Sequence, residues 1–388
     1  MSPSEASVVQ SSDVQHVRLR QLLTLLDRDQ TNAALRAECM SLALDTSDFD
    51  CAELLARRAL EAQPDDAGAR FTLATVKMAQ RDFTAAQTAL RDLLDEGVDN
   101  PGVRLNLATC EYLNGGYEQV TQLLEPLYAA GQRDTNLMRL LISAHHHLGH
   151  IEQAVSLADD NERAAREDGP TAGVFALLYL DASRAGPAAR CAKWALAAHP
   201  DSVDGLIVQA TLDAAELRAP RAIAQYRRVT ELAPENGRAW IGLGTMALLA
   251  QDFPAAKAHF EQGLRYLPGH LGTWITLGWT HLLSGDLAEA EATFRKTLER
   301  DRNYGEAHGA LAAVTALQGR KGEAQRSIEV ALRLDPASLS TKFAQAVLTG
   351  AAGNPEAARQ LIMNTAAALG AGAGPRAAGY IRELTRHR

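Results

Sequence analysis

Residues 239–268 read AWIGLGTMALLAQDFPAAKAHFEQGLRYLP, and residues 273–301 read TWITLGWTHLLSGDLAEAEATFRKTLERD. Trp240 and Trp274 are 34 residues apart, as are Leu243 and Leu277, Gly244 and Gly278, Ala256 and Ala290, and Phe260 and Phe294. Each copy therefore reads W-x2-L-G followed by A-x3-F. Self-similarity at a fixed period marks a repeat architecture, in which each unit buries its apolar face against its neighbours alone.

The same ruler runs in both directions without an insertion. One slot falls on Ala52, Ala86, Val120, Ala154, Ala188, Ala222, Ala256, Ala290, Ala324 and Ala358. A second reads Met40, Ala74, Ala108, Ile142, Ala176, Ala210, Gly244, Gly278, Ala312 and Ala346. Small residues at both slots are expected where two helix backbones approach closely, since a bulky group there overpacks the contact. Pro64, Pro200, Pro234, Pro268 and Pro336 share a slot that ends a second helix. Pro187, Pro220, Pro254 and Pro355 fall where a second helix begins, a position at which a missing N–H costs nothing. Gly115, Gly149, Gly285, Gly319 and Gly353 share the turn between the helices.

This pattern resembles the tetratricopeptide repeat, a 34-residue pair of antiparallel helices. The resemblance implies an all-α fold, a right-handed α-solenoid, with ten units over residues 33–372. Residues 13–32 are then expected to form an N-terminal capping helix, residues 1–12 to be disordered, and residues 373–388 to form a C-terminal capping helix. Asn161 and the stretch EDGPTAG at 167–173 mark a seam at which the array can divide. The alternative there is an ordinary inter-repeat turn.

Composition narrows the function. The chain has 388 residues, is 46% apolar and 5% aromatic, and carries a net charge of −8 with a pI near 5.8. An acidic balance argues against a general nucleic-acid binder or an electrostatic membrane anchor. The N-terminus lacks an apolar signal core and no run is long enough to span a bilayer, so a cytoplasmic protein without membrane insertion is expected. Cys39, Cys51, Cys110 and Cys191 form no CxxC pair, which fits reduced thiols better than a zinc ribbon or disulfide framework. No G-x-S-x-G, P-loop or G-x-G-x-x-G motif occurs, and the 48 residues outside the array are too few for a catalytic domain. The expectation is a non-catalytic protein with no cofactor.

The histidines at 145, 146, 147 and 150 are the one metal-like cluster. His146 and His150 have i, i+4 spacing, but the first helix is expected to end near Leu148 and Gly149, and no HExxH pattern is present. A metal-dependent enzyme or sensor is therefore the alternative reading, and a homo-oligomeric structural protein a third. By resemblance, His145 takes a slot usually held by a tyrosine packed between helices, and His146 faces the inner groove.

The resemblance also implies that first-helix positions 5, 9 and 12 line that groove. The wall expected to bind a partner then includes Phe71, Thr75, Met78, Leu105, Thr109, Tyr112, Arg139 and His146 from the early repeats. The later ones contribute Leu177, Ile207, Ile241, Thr245, Ile275, Trp279, Leu282 and Phe343. The wall is mostly apolar and Arg139 is its single formal charge. No lysine/asparagine/arginine clamp of the kind that holds acidic chaperone tails is present. An apolar wall suits an amphipathic helix or extended segment of another protein. Met78, Tyr112 and Trp279 are expected to carry most of the binding energy. The resulting expectation is an interaction scaffold or adaptor. Its narrower form is a chaperone or assembly factor for bacterial secretion or envelope machinery.

Overall fold

The structure is a computed structural model that describes residues 3–348, with side chains from Val14 onward. Among the described residues there are 21 helices and no strand. Helix α1 spans Pro3–Arg28, and the repeats follow as pairs. They are α2 (Ala33–Asp45) with α3 (Phe49–Ala62), α4 (Ala67–Ala79) with α5 (Phe83–Asp95), and α6 (Pro101–Leu113) with α7 (Tyr117–Ala129). Next, α8 (Thr135–His147) is followed by α9 (Ile151–Asp160) and the short α10 (Glu162–Glu167). Then come α11 (Gly169–Asp181) with α12 (Ala185–Ala198), α13 (Val203–Ala215) with α14 (Ala219–Leu232), and α15 (Gly237–Leu249) with α16 (Phe253–Tyr266). The last are α17 (Leu271–Leu283) with α18 (Leu287–Arg300), α19 (Gly305–Leu317) with α20 (Lys321–Leu334), and α21 (Leu339–Leu348).

Every first helix starts 34 residues after the one before it, from Ala33 to Leu339, and the second helices keep the same interval from Phe49 to Lys321. Local chemistry sets these starts. Asn32, Asp66, Asn100, Asp134, Asp168, Ser202, Asn236 and His270 each precede a first helix and accept a backbone N–H of its first turn. A cap of this kind is worth about 1 kcal/mol. The turn between paired helices is equally regular. Gly115, Gly149, Gly285 and Gly319 have φ between +75° and +90°, and the same slot holds Ser47, Arg81, Ser183, Leu217 and Gln251 at φ near +60°. A left-handed residue reverses the chain there, which explains glycine at that slot and strains the five side chains that replace it.

Three expectations change. The polar stretch expected to be disordered is helical from Pro3, with proline at the first helical position, where its missing N–H is harmless. The small slot at Gly244 and Gly278 is confirmed, but its neighbour is a phenyl ring and not a helix backbone. A Cβ on Gly278 would lie 2.3 Å from Phe294, and one on Gly244 would lie 2.7 Å from Phe260. Finally, the irregularity near residues 167–173 begins earlier. The second helix of repeat four breaks at Asn161, and the chain divides into two compact units, Met1–Ala158 and Asp159–Arg388. The expected C-terminal capping helix at 373–388 and the second hairpin half of repeat ten, with Gly353, Pro355 and Ala358, lie outside the described residues.

Each unit has its own apolar interior. In the first, Cys39, Met40, Ala52, Leu55 and Ala56 pack with Leu19 and Leu26 of α1. Ala86, Leu90, Leu93, Val103 and Leu107 form the next cluster. In the second unit, Ala256, Phe260, Ile275, Trp279, Ala290, Phe294 and Phe343 belong to one continuous core.

Candidate functional site

The wall of the first unit is built on α4, α6 and α8. Phe71, Thr75 and Met78, then Leu105, Thr109 and Tyr112, then Arg139 and His146 are all half-buried, so each keeps part of its surface for contact. Thr75 and Thr109 donate their hydroxyls to the carbonyls of Phe71 and Leu105, four residues back in their own helices. Their polar atoms are satisfied within the helix and the wall stays apolar. Asn106 Nδ2 donates to Thr75 Oγ1 across the seam between α4 and α6, at 3.1 Å. Arg139 donates to Asn136 Oδ1 at 2.6 Å, an uncharged partner that leaves its guanidinium charge available to an anion.

An aromatic group adjoins Tyr112. The His147 ring stacks on Tyr117 with centroids 4.4 Å apart, and Tyr112 meets Tyr117 edge-on at 5.5 Å. Tyr112 Oη lies 3.3 Å from His147 Nε2. The four histidines do not converge. His145 is buried beside Glu125, at 3.4 Å, and its Nδ1 lies 3.5 Å from that of His150. His150 follows the end of α8, so His146 and His150 share no helix. Burial pushes the His145 pKa down, with Glu125 opposing the shift and His150 adding to it. Among the described residues, no three His, Cys, Asp or Glu side chains gather as a metal-ligand set.

The second unit places its wall residues differently. Leu177 is half-buried, but Ile207, Ile241, Thr245, Ile275, Leu282 and Phe343 are buried. Trp279 has 0% exposure, and its ring meets Phe294 and Phe343 edge-on at 5.6 Å each. The expectation that Trp279 is an exposed anchor for a partner is therefore corrected: it is a core residue. The cause lies in repeat nine, whose wall positions are Gly309, Ala313 and Ala316. These leave room for α21 to lie directly on α19. A Cβ on Gly309 would stand 2.5 Å from Thr341 Oγ1. Phe343 of α21 thereby reaches Trp279 past the small residues of α19.

Sequence reasoning missed polar groups at other positions. Arg238, at the start of α15, makes a bidentate pair with Asp181, at the end of α11, with N–O distances of 2.9 and 2.7 Å. Asp204 lies between them in the chain, on α13, and burial raises its pKa. Arg238 and Asp204 occupy repeat position 2, which the wall positions 5, 9 and 12 omit. Opposite charges one repeat apart at that position were the available signal.

Residues 43–104 and 247–314 match one family description, Tetratricopeptide repeat, and residues 207–270 match a second of the same description. These spans carry the same 34-residue pairs as the structure. The chain is a tetratricopeptide-repeat protein. Its repeats make it a protein–protein interaction scaffold. Among solved structures, it is similar to MamA, at 18% identity and a TM-score of 0.37, over 41% of this chain and 92% of that one. It is also similar to YrrB, described as a TPR protein with an unusual peptide-binding site. That likeness has 16% identity and a TM-score of 0.38, over 49% of this chain and 96% of YrrB. No curated protein matches the chain at a significant level. No helix among the described residues is long and apolar enough to cross a membrane.

Proposed function

We propose that this tetratricopeptide-repeat protein is a non-catalytic adaptor that holds a segment of another protein against the wall of its first unit. The observation that carries this reading is the difference in burial along the wall. Phe71, Met78, Leu105 and Tyr112 remain half-buried, whereas the corresponding side chains from Ile241 onward are sealed into the core. Partly exposed apolar and aromatic groups in a row, with hydroxyls already satisfied, suit an amphipathic helix or an extended segment with aliphatic anchors. Arg139 adds a requirement for an acidic group in that segment. The four unbridged cysteines suit a reducing compartment such as the cytoplasm.

The test is site-specific photocrosslinking. A benzophenone side chain at Leu105 is expected to capture a discrete partner, and one at Leu217, on the second unit's surface, is not. Met78→Ala and Tyr112→Ala should each weaken capture about tenfold, the loss expected on truncating an interface anchor, without changing the melting temperature by more than a few degrees. Equal capture from both sites, or capture untouched by both substitutions, removes the wall from the function.

A further inference from the structure

The second unit carries a groove that the wall does not include. It encloses about 730 Å³ between α16 and α18, with α17 as its floor. The floor residues are Trp274, Leu277 and His281. Trp274 and the buried wall residue Trp279 are five positions apart, about 140° around the helix. The groove therefore opens on the side of α17 turned away from the wall.

Its charges are sorted along its length. Glu289 and Glu261 act on His281 at one end, together with Lys257 and its ion-pair partner Asp286, while Lys296 and Arg300 lie over the Trp274 ring at the other and Arg265 joins them in the lining. Lys296 Nζ lies 4.7 Å from the Trp274 ring centroid, and the Arg300 guanidinium lies 4.2 Å from it. Among the described residues, none of these three cations has a carboxylate within ion-pairing distance, whereas Arg295 of the same helix α18 pairs with Glu291 and Glu323. Arg300 instead donates to the backbone carbonyls of Pro268 and Lys296. At the opposite end, His281 Nδ1 is buried without a hydrogen-bond partner. Along α18, Glu289 and Arg300 are separated by about 16 Å at 1.5 Å per residue.

Repeat seven is an internal control for whether the fold requires these cations. Trp240 occupies the equivalent position, and its indole N–H donates to Pro234 O at 2.7 Å, as that of Trp274 donates to Pro268 O at 2.9 Å. Yet the residues matching Lys296, Arg300 and Arg265 are Gln262, Tyr266 and Glu231. The same indole is seated in the same hairpin without any of the three positive charges. Seating the indole therefore does not require them, and they converge on this groove from α16 of repeat seven and α18 of repeat eight.

We propose that the groove is a second docking site, which receives an acidic protein segment whose carboxylates meet Arg265, Lys296 and Arg300. A basic side chain of that segment meets Glu261 and Glu289. The pair of acidic groups argues for a peptide of mixed charge over a uniform polyanion, whose charge would be repelled there. Two guanidinium groups and an ammonium match carboxylates by charge-assisted hydrogen bonds.

The test is tryptophan fluorescence of the full chain titrated with two synthetic peptides, hexaglutamate and hexaglutamate extended by an alanine spacer and two lysines. Both should give a saturable change that weakens with added salt, and the extended peptide should bind more tightly. Arg265→Gln/Lys296→Gln/Arg300→Gln should weaken both about tenfold or more with an unchanged helical circular dichroism spectrum. Glu261→Gln/Glu289→Gln should erase only the advantage of the extended peptide. Trp240→Phe should leave the titration intact. The proposal is overturned by the absence of saturable binding, by a triple variant within twofold of wild type, or by oligouridylate or polyphosphate binding more tightly than the extended peptide.

Discussion

Replacing Trp279 by alanine separates a core residue from a binding residue. The side chain is fully buried and packs edge-on against two phenyl rings, Phe294 within its own repeat and Phe343 two repeats on. Truncating a buried tryptophan costs about 3–5 kcal/mol, and each aromatic pair contributes about 0.5–1.5 kcal/mol beyond its buried area. One term opposes this. Trp279 Nε1 has no hydrogen-bond partner, and a buried unsatisfied donor costs about 1–3 kcal/mol. Trp279→Phe removes that donor while keeping an aromatic ring, so its net cost should fall well below that of alanine. For a unit of this size the alanine variant should melt roughly 6–20 °C lower, and amide exchange should accelerate in α17, α19 and α21 before α11 or α13. Circular dichroism at 222 nm and hydrogen exchange read both effects. If Trp279→Ala melts within a degree of wild type while a partner is lost, the ring faces outward and the account of repeats eight to ten is wrong.

Leu217→Gly should stabilise the protein by about 0.5–1 kcal/mol, because it relieves a left-handed residue of roughly 1–2 kcal/mol strain against glycine's entropic cost of about 0.5–1; the leucine is 77% exposed and gives up little packing. Gly285→Ala, at the same slot with φ +90° and open space around a Cβ, should lower denaturation midpoints by a similar amount. Gly309→Ala must displace Thr341 and should cost about 1–3 kcal/mol by overpacking, whereas Gly322→Ala, with nothing near its Cβ, should be neutral or better in the same urea titration. Stability should also fall as pH drops below about 6.5, because burial lowers the pKa values of His145, His259, His270 and His281. The unfolded chain then takes up protons before the folded one does, so the contribution of these groups is lost as pH falls. His145 faces Glu125 and His150, and His145→Gln should remove part of the loss between pH 7.5 and 5.5. Glu291, held at about 2 by Arg320 and Arg295, adds its loss only at more acid pH, below the ordinary carboxylate range.

The repeat frame was legible because each slot has its own physical cause, visible in one residue type. Ala256 and Ala290 recur because both are fully buried where the paired helices pack. Gly115 and Gly319 recur because the turn is left-handed. The same logic hid the exceptions. Leu217 and Gln251 fill that turn without the favoured residue, and only backbone angles reveal that they obey the rule. The caps from Asn32 to His270 were equally readable, since their slot is rich in Asp, Asn and Ser, but a histidine serving as acceptor through Nδ1 carries no such sequence signal.

The wall shows where a one-dimensional ruler stops. It assigns the same role to Tyr112, at repeat position 12, and Trp279, at repeat position 9, yet one is half-buried and the other sealed. The difference lies in residues one repeat away. Tyr112 is followed by the wall residue His146, a bulky side chain that is itself half-buried. Trp279 is followed by Gly309 and Ala313, so close approach of α19 and α21 brings Phe343 over the small surface and onto the indole. At Trp279, exposure is thus set by the small residues of the following repeat, whereas Ile207, Ile241 and Thr245 are buried although bulky wall residues follow them. In repeats eight to ten, small residues next to a large aromatic group therefore mark where the array closes over its own wall, with Phe343 seated on Trp279 past Gly309 and Ala313.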